Sequence, residues 1–236
     1  MDVPLINLAV NSDFLDEPRF ADAYLAGSST LAALGDHGKN FVYDAWRLRI
    51  ALWAGEQASR LPGDFVECGV HTGFLSKAIV RYLNFQDLAN KRFFLVDTFE
   101  GVPADQFSDD ERDAGLDARA KTLYPRDVFE ICSKNFEHYT NVTLIRGRVP
   151  EVLASLPVGP VAYLSIDMNC AEPEIAAVRH FWDRVVPGGV ILFDDYGATG
   201  HHNQKLAVDA LALELENPIL PVPSGQALMI KLGVSR

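Results

Sequence analysis

Short apolar runs alternate with helix-patterned segments along most of this 236-residue chain, and that alternation leaves few architectures open. Residues 65–68, 92–96, 142–145, 161–166 and 190–193 are mostly apolar stretches of strand length, as expected of strands covered on both faces. Residues 74–83, 126–139, 172–186 and 203–216 read as helices. In the third, Ile175, Val178, Phe181, Trp182 and Val185 form the apolar stripe, and Pro187-Gly-Gly189 is expected to end it. Repeated βα units imply a parallel sheet with helices on both faces. Residues 219–222 and 227–232, joined by Pro223-Ser-Gly225, read as a terminal hairpin that adds antiparallel strands. The expected fold is therefore α/β, a mostly parallel seven-stranded sheet with an antiparallel C-terminal hairpin.

Ahead of the first strand, residues 41–60 place Phe41, Val42, Ala45, Trp46, Leu52 and Trp53 mostly on one helical face, and Leu61-Pro-Gly63 stops them. Core packing is the expected role of Trp46, Trp53 and Trp182, with Trp46 or Tyr43 the aromatic residues closest to a substrate if this helix borders a site. Residues 1–40 read as an N-terminal arm with one or two short helices, an element that a homo-oligomer would share between subunits. Residues 41–236 form the main domain. Residues 100–125 interrupt the alternation. They are acidic and too long for an ordinary βα connection, and a segment of this kind is either a functional lid or disordered.

The net charge of −11 leaves no basic footprint for nucleic acid and disfavours adsorption to an anionic membrane. Cys68, Cys132 and Cys170 are widely spaced, which argues against a disulfide framework or a zinc site. The opening Met-Asp-Val-Pro lacks the basic and apolar runs of a secretory signal, and no stretch approaches the roughly 18 apolar residues of a membrane span. A soluble, cytoplasmic chain is expected.

In open parallel sheets, ligands bind beyond the carboxyl ends of the strands, so the residues that follow each strand matter most. The first strand runs into Glu67-Cys-Gly-Val-His-Thr-Gly73, a glycine turn whose backbone can approach a ligand closely at a helix N-terminus. It is not the G-x-G-x-x-G dinucleotide fingerprint. The second strand ends at Asp97-Thr98, where an acid can accept from both ribose hydroxyls. The strands at 161–166 and 190–193 end in Asp167-Met-Asn169 and Asp194-Asp195. If those strands are neighbours, three carboxylates converge, and a hard cation such as Mg²⁺ would relieve their repulsion.

Taken together, Val66-Glu-Cys-Gly-Val70 with Gly73-Phe-Leu-Ser76, Leu95-Val-Asp-Thr-Phe-Glu-Gly-Val-Pro103, Leu164-Ser-Ile-Asp167 and Ile191-Leu-Phe-Asp-Asp-Tyr-Gly197 resemble the macrocin O-methyltransferase-like family, from about residue 62 to 209. These are class I S-adenosylmethionine-dependent enzymes with a Rossmann-like fold that methylate hydroxyls of antibiotics and related small molecules. The resemblance implies a cofactor site built by Glu67, Gly69, Val70, His71, Thr72, Gly73 and Ser76 on the methionine side. It places Asp97 and Thr98 at the ribose, Gly147 and Arg148 near the adenine, and Asp167 beside the cofactor. It implies that Asp167, Asp194 and Asp195 hold Mg²⁺, and that the acceptor is a hydroxylated small molecule.

One departure from the family pattern concerns the proton acceptor. Family members commonly carry a second Asp two residues after the first metal ligand, and here that position is Asn169, an amide that takes no proton near neutral pH. Either a metal would acidify the acceptor hydroxyl enough for a weak base or water to take its proton, or His201 and His202, in Gly197-Ala-Thr-Gly-His-His202, would supply an imidazole base. His71 is expected to pack beside the cofactor, and Cys68 and Cys170 lack a paired His. The competing readings are a relative that keeps the cofactor pocket without methyl transfer or supports a hydroxylation, a nucleotide-linked oxidoreductase, and a metal-dependent hydrolase.

Overall fold

A computed structural model describes residues 11–41, 45–124 and 126–233. Seven strands form one sheet in the order β3-β2-β1-β4-β5-β7-β6: β1 (Asp64–Cys68), β2 (Phe93–Asp97), β3 (Val142–Arg146), β4 (Val161–Ile166), β5 (Val185–Phe193), β6 (Ile219–Pro221) and β7 (Ala227–Ile230). β1 to β5 are parallel to one another, and β7 pairs antiparallel with both β5 and β6. The direction in which successive strands are added reverses between β1 and β4, the place where a doubly wound sheet opens a crevice for a ligand. All residues of β4, and all but the first of β1, are buried, which explains why these strands are legible as unbroken apolar runs.

Among the described residues are eight α-helices: α1 (Pro18–Ser29), α2 (Ala45–Ser59), α3 (Phe74–Leu83), α4 (Asp109–Asp113), α5 (Leu116–Leu123), α6 (Phe129–Phe136), α7 (Ala171–Trp182) and α8 (His202–Glu214). One core lies between the sheet and α1–α3, with Phe20, Leu48, Ile79, Phe65 and Tyr163 at its centre. The second lies on the opposite face against α7 and α8, with Val66, Leu164, Phe181, Ile191 and Val208. Among the described residues, no helix is long and apolar enough to cross a membrane.

Residues 18–29 form a twelve-residue helix, one of the short helices expected in the arm, and Phe20 and Ala23 are part of the same core as α2 and α3. Residues 1–10 and Tyr43 lie outside the described residues. Three expectations need correction. The first concerns Trp46 and Trp53, which are 37% and 42% exposed. The buried face of α2 is instead Leu48, Ala51, Leu52, Ala54, Gly55 and Ala58. The small residues among these bring α3 so close that a Cβ on Gly55 would lie 3.3 Å from Ile79. The second is that α7 ends at Trp182 and the chain re-enters the sheet at Val185. Pro187-Gly-Gly189 is an irregularity inside β5, where pairing with β4 jumps from Val161↔Val185 to Tyr163↔Val190. The third is that α6 is shorter than its pattern, because the Asp127 carboxylate accepts from the Phe129 N–H at 2.8 Å and begins the helix there.

Candidate functional site

A cleft of about 700 Å³ opens at the carboxyl ends of β1, β2 and β4. The turn after β1 forms its floor. Gly69 has φ 88°, and a Cβ there would lie 1.8 Å from the Asp167 carbonyl oxygen, so only glycine lets the β1 and β4 termini approach this closely. The Asp97 carboxylate fixes the next two residues. Its Oδ2 accepts from the backbone N–H groups of Val70 (2.6 Å) and His71 (2.7 Å), and its Oδ1 accepts from the Phe99 N–H (2.8 Å). An acid expected at a ribose is thus also the brace of the glycine turn.

His71, at φ 53°, is wedged between Phe41 and Tyr124, with ring centroids 4.7 and 5.2 Å away. Burial pushes its imidazole down to about 4, against the opposing pull of Asp97, so the ring is neutral near pH ~7. Beneath the turn, Glu67, Ser76, Tyr163 and Ser165 are buried, and Glu67 Oε2 has no hydrogen-bond partner among the described residues. Burial, reinforced by the charge of Asp194, raises the Glu67 carboxyl well above the ordinary range.

On the other side of the crevice the parallel pairing of β4 with β5 brings Asp167 beside Asp194 and Asp195. Burial raises the Asp167 carboxyl, and the charges of Asp194 and Asp195 raise it further. The cation among them is Arg47 of α2. Its Nη2 donates to the Asp194 carbonyl at 2.6 Å, to Asp194 Oδ2, and to Asp195 Oδ1 at 3.2 Å. Gln226 Nε2 donates to the remaining Asp194 oxygen at 2.7 Å. Both oxygens of Asp194 and one of Asp195 therefore already accept protein hydrogen bonds. A Mg²⁺ ion needs such lone pairs in a near-octahedral set. Among the described residues, no three His, Cys, Asp or Glu side chains stand in a metal-holding arrangement. As the side chains stand, they do not suit a divalent ion.

Of the residues singled out in the sequence, Gly69, Val70, His71, Asp97, Thr98, Gly147, Asp167 and Asn169 line the cleft. Glu67, Thr72 and Ser76 are buried and, like Gly73, do not line it. Arg148 stands outside the wall, paired with Asp105 (2.7 Å) and Glu151 (3.3 Å). Asn169 adopts φ 62°, with its amide 3.5 Å from Asp167 Oδ1. His201 is buried behind Asp195, 3.7 Å from its Oδ2 and 2.7 Å from Gln204, and does not line the cleft.

Tyr124, Gln106 and Arg47 escaped the sequence reading. The first two belong to residues 100–125, whose acidic surface hides a folded insertion. Gln106 Nε2 donates to the Val149 carbonyl at 2.5 Å, and α4 is held by a capping box between Ser108 and Glu111. A single partly buried Tyr in a charged segment carries no sequence signal for a cleft wall.

A mostly parallel sheet in this strand order, with a crevice at the switch point and an antiparallel C-terminal hairpin, is the α/β fold of class I methyltransferases. The solved O-methyltransferase NovP superposes with a TM-score of 0.67, at 22% identity over 79% of this chain and 80% of that one. The family model for macrocin-O-methyltransferase (TylF) matches residues 52–221, and the chain belongs to that family. Among curated relatives, the 8-demethyl-8-(2,3-dimethoxy-alpha-L-rhamnosyl)-tetracenomycin-C 4'-O-methyltransferase of Streptomyces olivaceus is 29% identical over 146 residues, 59% of this chain and 55% of that protein. The demethyldecarbamoylnovobiocin O-methyltransferase of Streptomyces niveus is 26% identical over 145 residues, 58% and 54% respectively. The chain thus spans about half the length of the curated relatives it matches.

Proposed function

We propose that this chain transfers a methyl group from S-adenosylmethionine to a hydroxyl of a small molecule of the glycosylated natural-product type. The observation that carries this reading is the cleft itself, where the braced turn Gly69-Val70-His71 faces Gly147 across Asp97 and meets Asp167 at one end. Its residues suit the cofactor: backbone approach is close at Gly69, and Glu67 Oε2 lies buried under the turn with no partner among the described residues. The two curated relatives, both O-methyltransferases of elaborate small molecules, support the acceptor class.

When bound, S-adenosylmethionine supplies an electrophilic methyl on a sulfonium; the chain's task is orientation and proton handling. In this reading Gly69, Val70, His71, Asp97, Thr98 and Gly147 form the cofactor wall, with Glu67, Thr72, Gly73 and Ser76 supporting the turn from below. Asp167 takes the acceptor proton, since a carboxyl raised by burial and by Asp194 and Asp195 is a better base near neutral pH than an ordinary one. Asn169 orients Asp167. His201 acts on Asp195 from behind rather than on the acceptor. Arg148 anchors the insertion instead of touching adenine.

Calorimetric titration of S-adenosylmethionine into the protein in EDTA tests the cofactor half. Mass spectrometry of a panel of hydroxylated glycosides after incubation tests the transfer half. Failure to bind the cofactor would remove the reading.

A further inference from the structure

We propose that the Arg47 guanidinium is the resident cation of the Asp167–Asp194–Asp195 site and takes the place that a divalent ion would hold. The inference rests on the acid cluster alone and stands whether or not the methyl-transfer reading does. Three elements distant in sequence converge to make the arrangement. Arg47 projects from α2, where the next residue, Leu48, is fully buried in the core and fixes the helix. Its Nη2 reaches both aspartates at the end of β5, one of them through the carbonyl as well as the carboxylate. From the hairpin, the Ser224 hydroxyl donates to Gln226 Oε1 at 2.8 Å. That bond orients the fully buried amide so that its Nε2 donates to Asp194 Oδ1.

A metal would compete with this set rather than complete it. Each Asp194 oxygen accepts from an N–H donor, and the donor on Oδ2 is itself a cation, whose charge repels a second cation placed against the same carboxylate. Seating an ion would require a mostly buried guanidinium to leave two carboxylates, and breaking a buried pair is costly. Burial alone would lower the basicity of Arg47, yet Asp194 and Asp195 outweigh it and hold the side chain charged. The planar guanidinium can bridge neighbouring carboxylates with fixed geometry, which a lysine cannot reproduce.

The test is Mn²⁺ titration followed by the paramagnetic resonance signal of the free ion, on the full chain at neutral pH without cofactor or acceptor. Wild type, Asp195→Asn, Arg47→Ala and Arg47→Ala/Asp195→Asn are compared. The wild-type chain is expected to show no Asp195-dependent site tighter than about 1 mM. Arg47→Ala is expected to open one site, about tenfold tighter or more, that the added Asp195→Asn removes. A wild-type site of micromolar affinity that disappears in Asp195→Asn overturns the proposal. So does a folded Arg47→Ala chain that gains no site. If Arg47→Ala does not fold, the wild-type and Asp195→Asn titrations decide the matter, and Asp195-independent binding in both upholds the proposal.

Discussion

Glu111 of α4 accepts a hydrogen bond at 2.8 Å from the backbone N–H of Ala171, the first residue of α7. The N-cap residue of α7, Cys170, makes no side-chain cap, so a carboxylate from the insertion serves the positive end of that helix instead. The other oxygen of Glu111 closes the capping box with Ser108. One buried side chain thus ties residues 104–123 to the main domain beside the cleft.

Glu111→Ala should therefore lower stability by about 2–3 kcal/mol, from a lost charged hydrogen bond and a lost cap. Amide hydrogen exchange should accelerate over residues 104–123 and at the start of α7, and not in β1 or β4. Glu111→Gln keeps an acceptor for Ala171 but opposes the Ser108 N–H with its own amide, so it should fall between. Uniform acceleration across the molecule would show that Glu111 is not a local tie.

Asp97→Asn tests the brace of the glycine turn. An amide replaces one accepting oxygen by a donor that faces backbone N–H groups. Hydrogen bonds to a charged group contribute about 1.5–3 kcal/mol, so S-adenosylmethionine affinity should fall roughly tenfold to a hundredfold. The thermal midpoint should also fall without ligand, because the brace exists in the free protein. A loss of affinity with unchanged stability would assign Asp97 to the ligand alone.

His71 makes the stability of the chain sensitive to acid in a definite direction. Its folded value of about 4 lies below the unfolded value near 6.5. Above the unfolded value the group contributes no pH dependence. As pH falls from there towards the folded value, the unfolded chain takes up a proton that the buried ring refuses, and stability is lost. At ~1.36 kcal/mol per pH unit, moving from pH ~6.5 to ~5 removes up to about 2 kcal/mol. His71→Gln should abolish that part of the acid slope, measured as urea midpoints at the two pH values. Parallel slopes for both proteins would place the titration elsewhere.

Cys68, Cys132 and Cys170 are all buried, and burial pushes each thiol far up. The thiolate is the reactive form. The folded chain should therefore be nearly inert to a thiol reagent such as dithiobis(nitrobenzoate), and all three should react in denaturant. Rapid labelling of Cys170, which neighbours Asn169, would reveal opening of the insertion at that end of the cleft.

Where sequence and structure agree, the physical reason is local. β4 and α3 occupy the residues their patterns mark, because a strand buried on both faces and a short amphipathic helix with a strong apolar face announce themselves. The meeting of Asp167 with Asp194 and Asp195 was legible only on the condition that β4 and β5 are neighbours, because repeated βα units imply a parallel sheet without fixing its strand order. The misplaced end of α7 has a different cause: Pro187-Gly-Gly189 reads as a stop, yet the sheet accommodates it as a bulge between Val185 and Val190. Arg47 was illegible because its partners lie 147 and 148 residues away, and only the rotation of α2 on the sheet decides that Arg47 rather than Trp46 faces them. The exposure of Trp46 and Trp53 follows from the same rotation, which the small residues at 51, 54, 55 and 58 set.

The last prediction separates backbone strain from close approach at the glycine turn. Gly69 and Gly115 both have positive φ, 88° and 77°. A Cβ on Gly115 would meet nothing within 4 Å, so Gly115→Ala should cost only the left-handed penalty of roughly 1 kcal/mol. A Cβ on Gly69 would lie 1.8 Å from the Asp167 carbonyl oxygen and 2.5 Å from its carbon, both backbone atoms that no rotamer can move aside. Relief requires the ends of β1 and β4 to part, which breaks the Asp167 N–H bond to the Cys68 carbonyl and shifts Asp167 relative to Asp194. Gly69→Ala should therefore cost several times the Gly115→Ala penalty in chemical denaturation and abolish cofactor binding in whatever fraction still folds. Equal costs at the two positions would mean that the conformation, and not the contact with Asp167, is what demands glycine at Gly69.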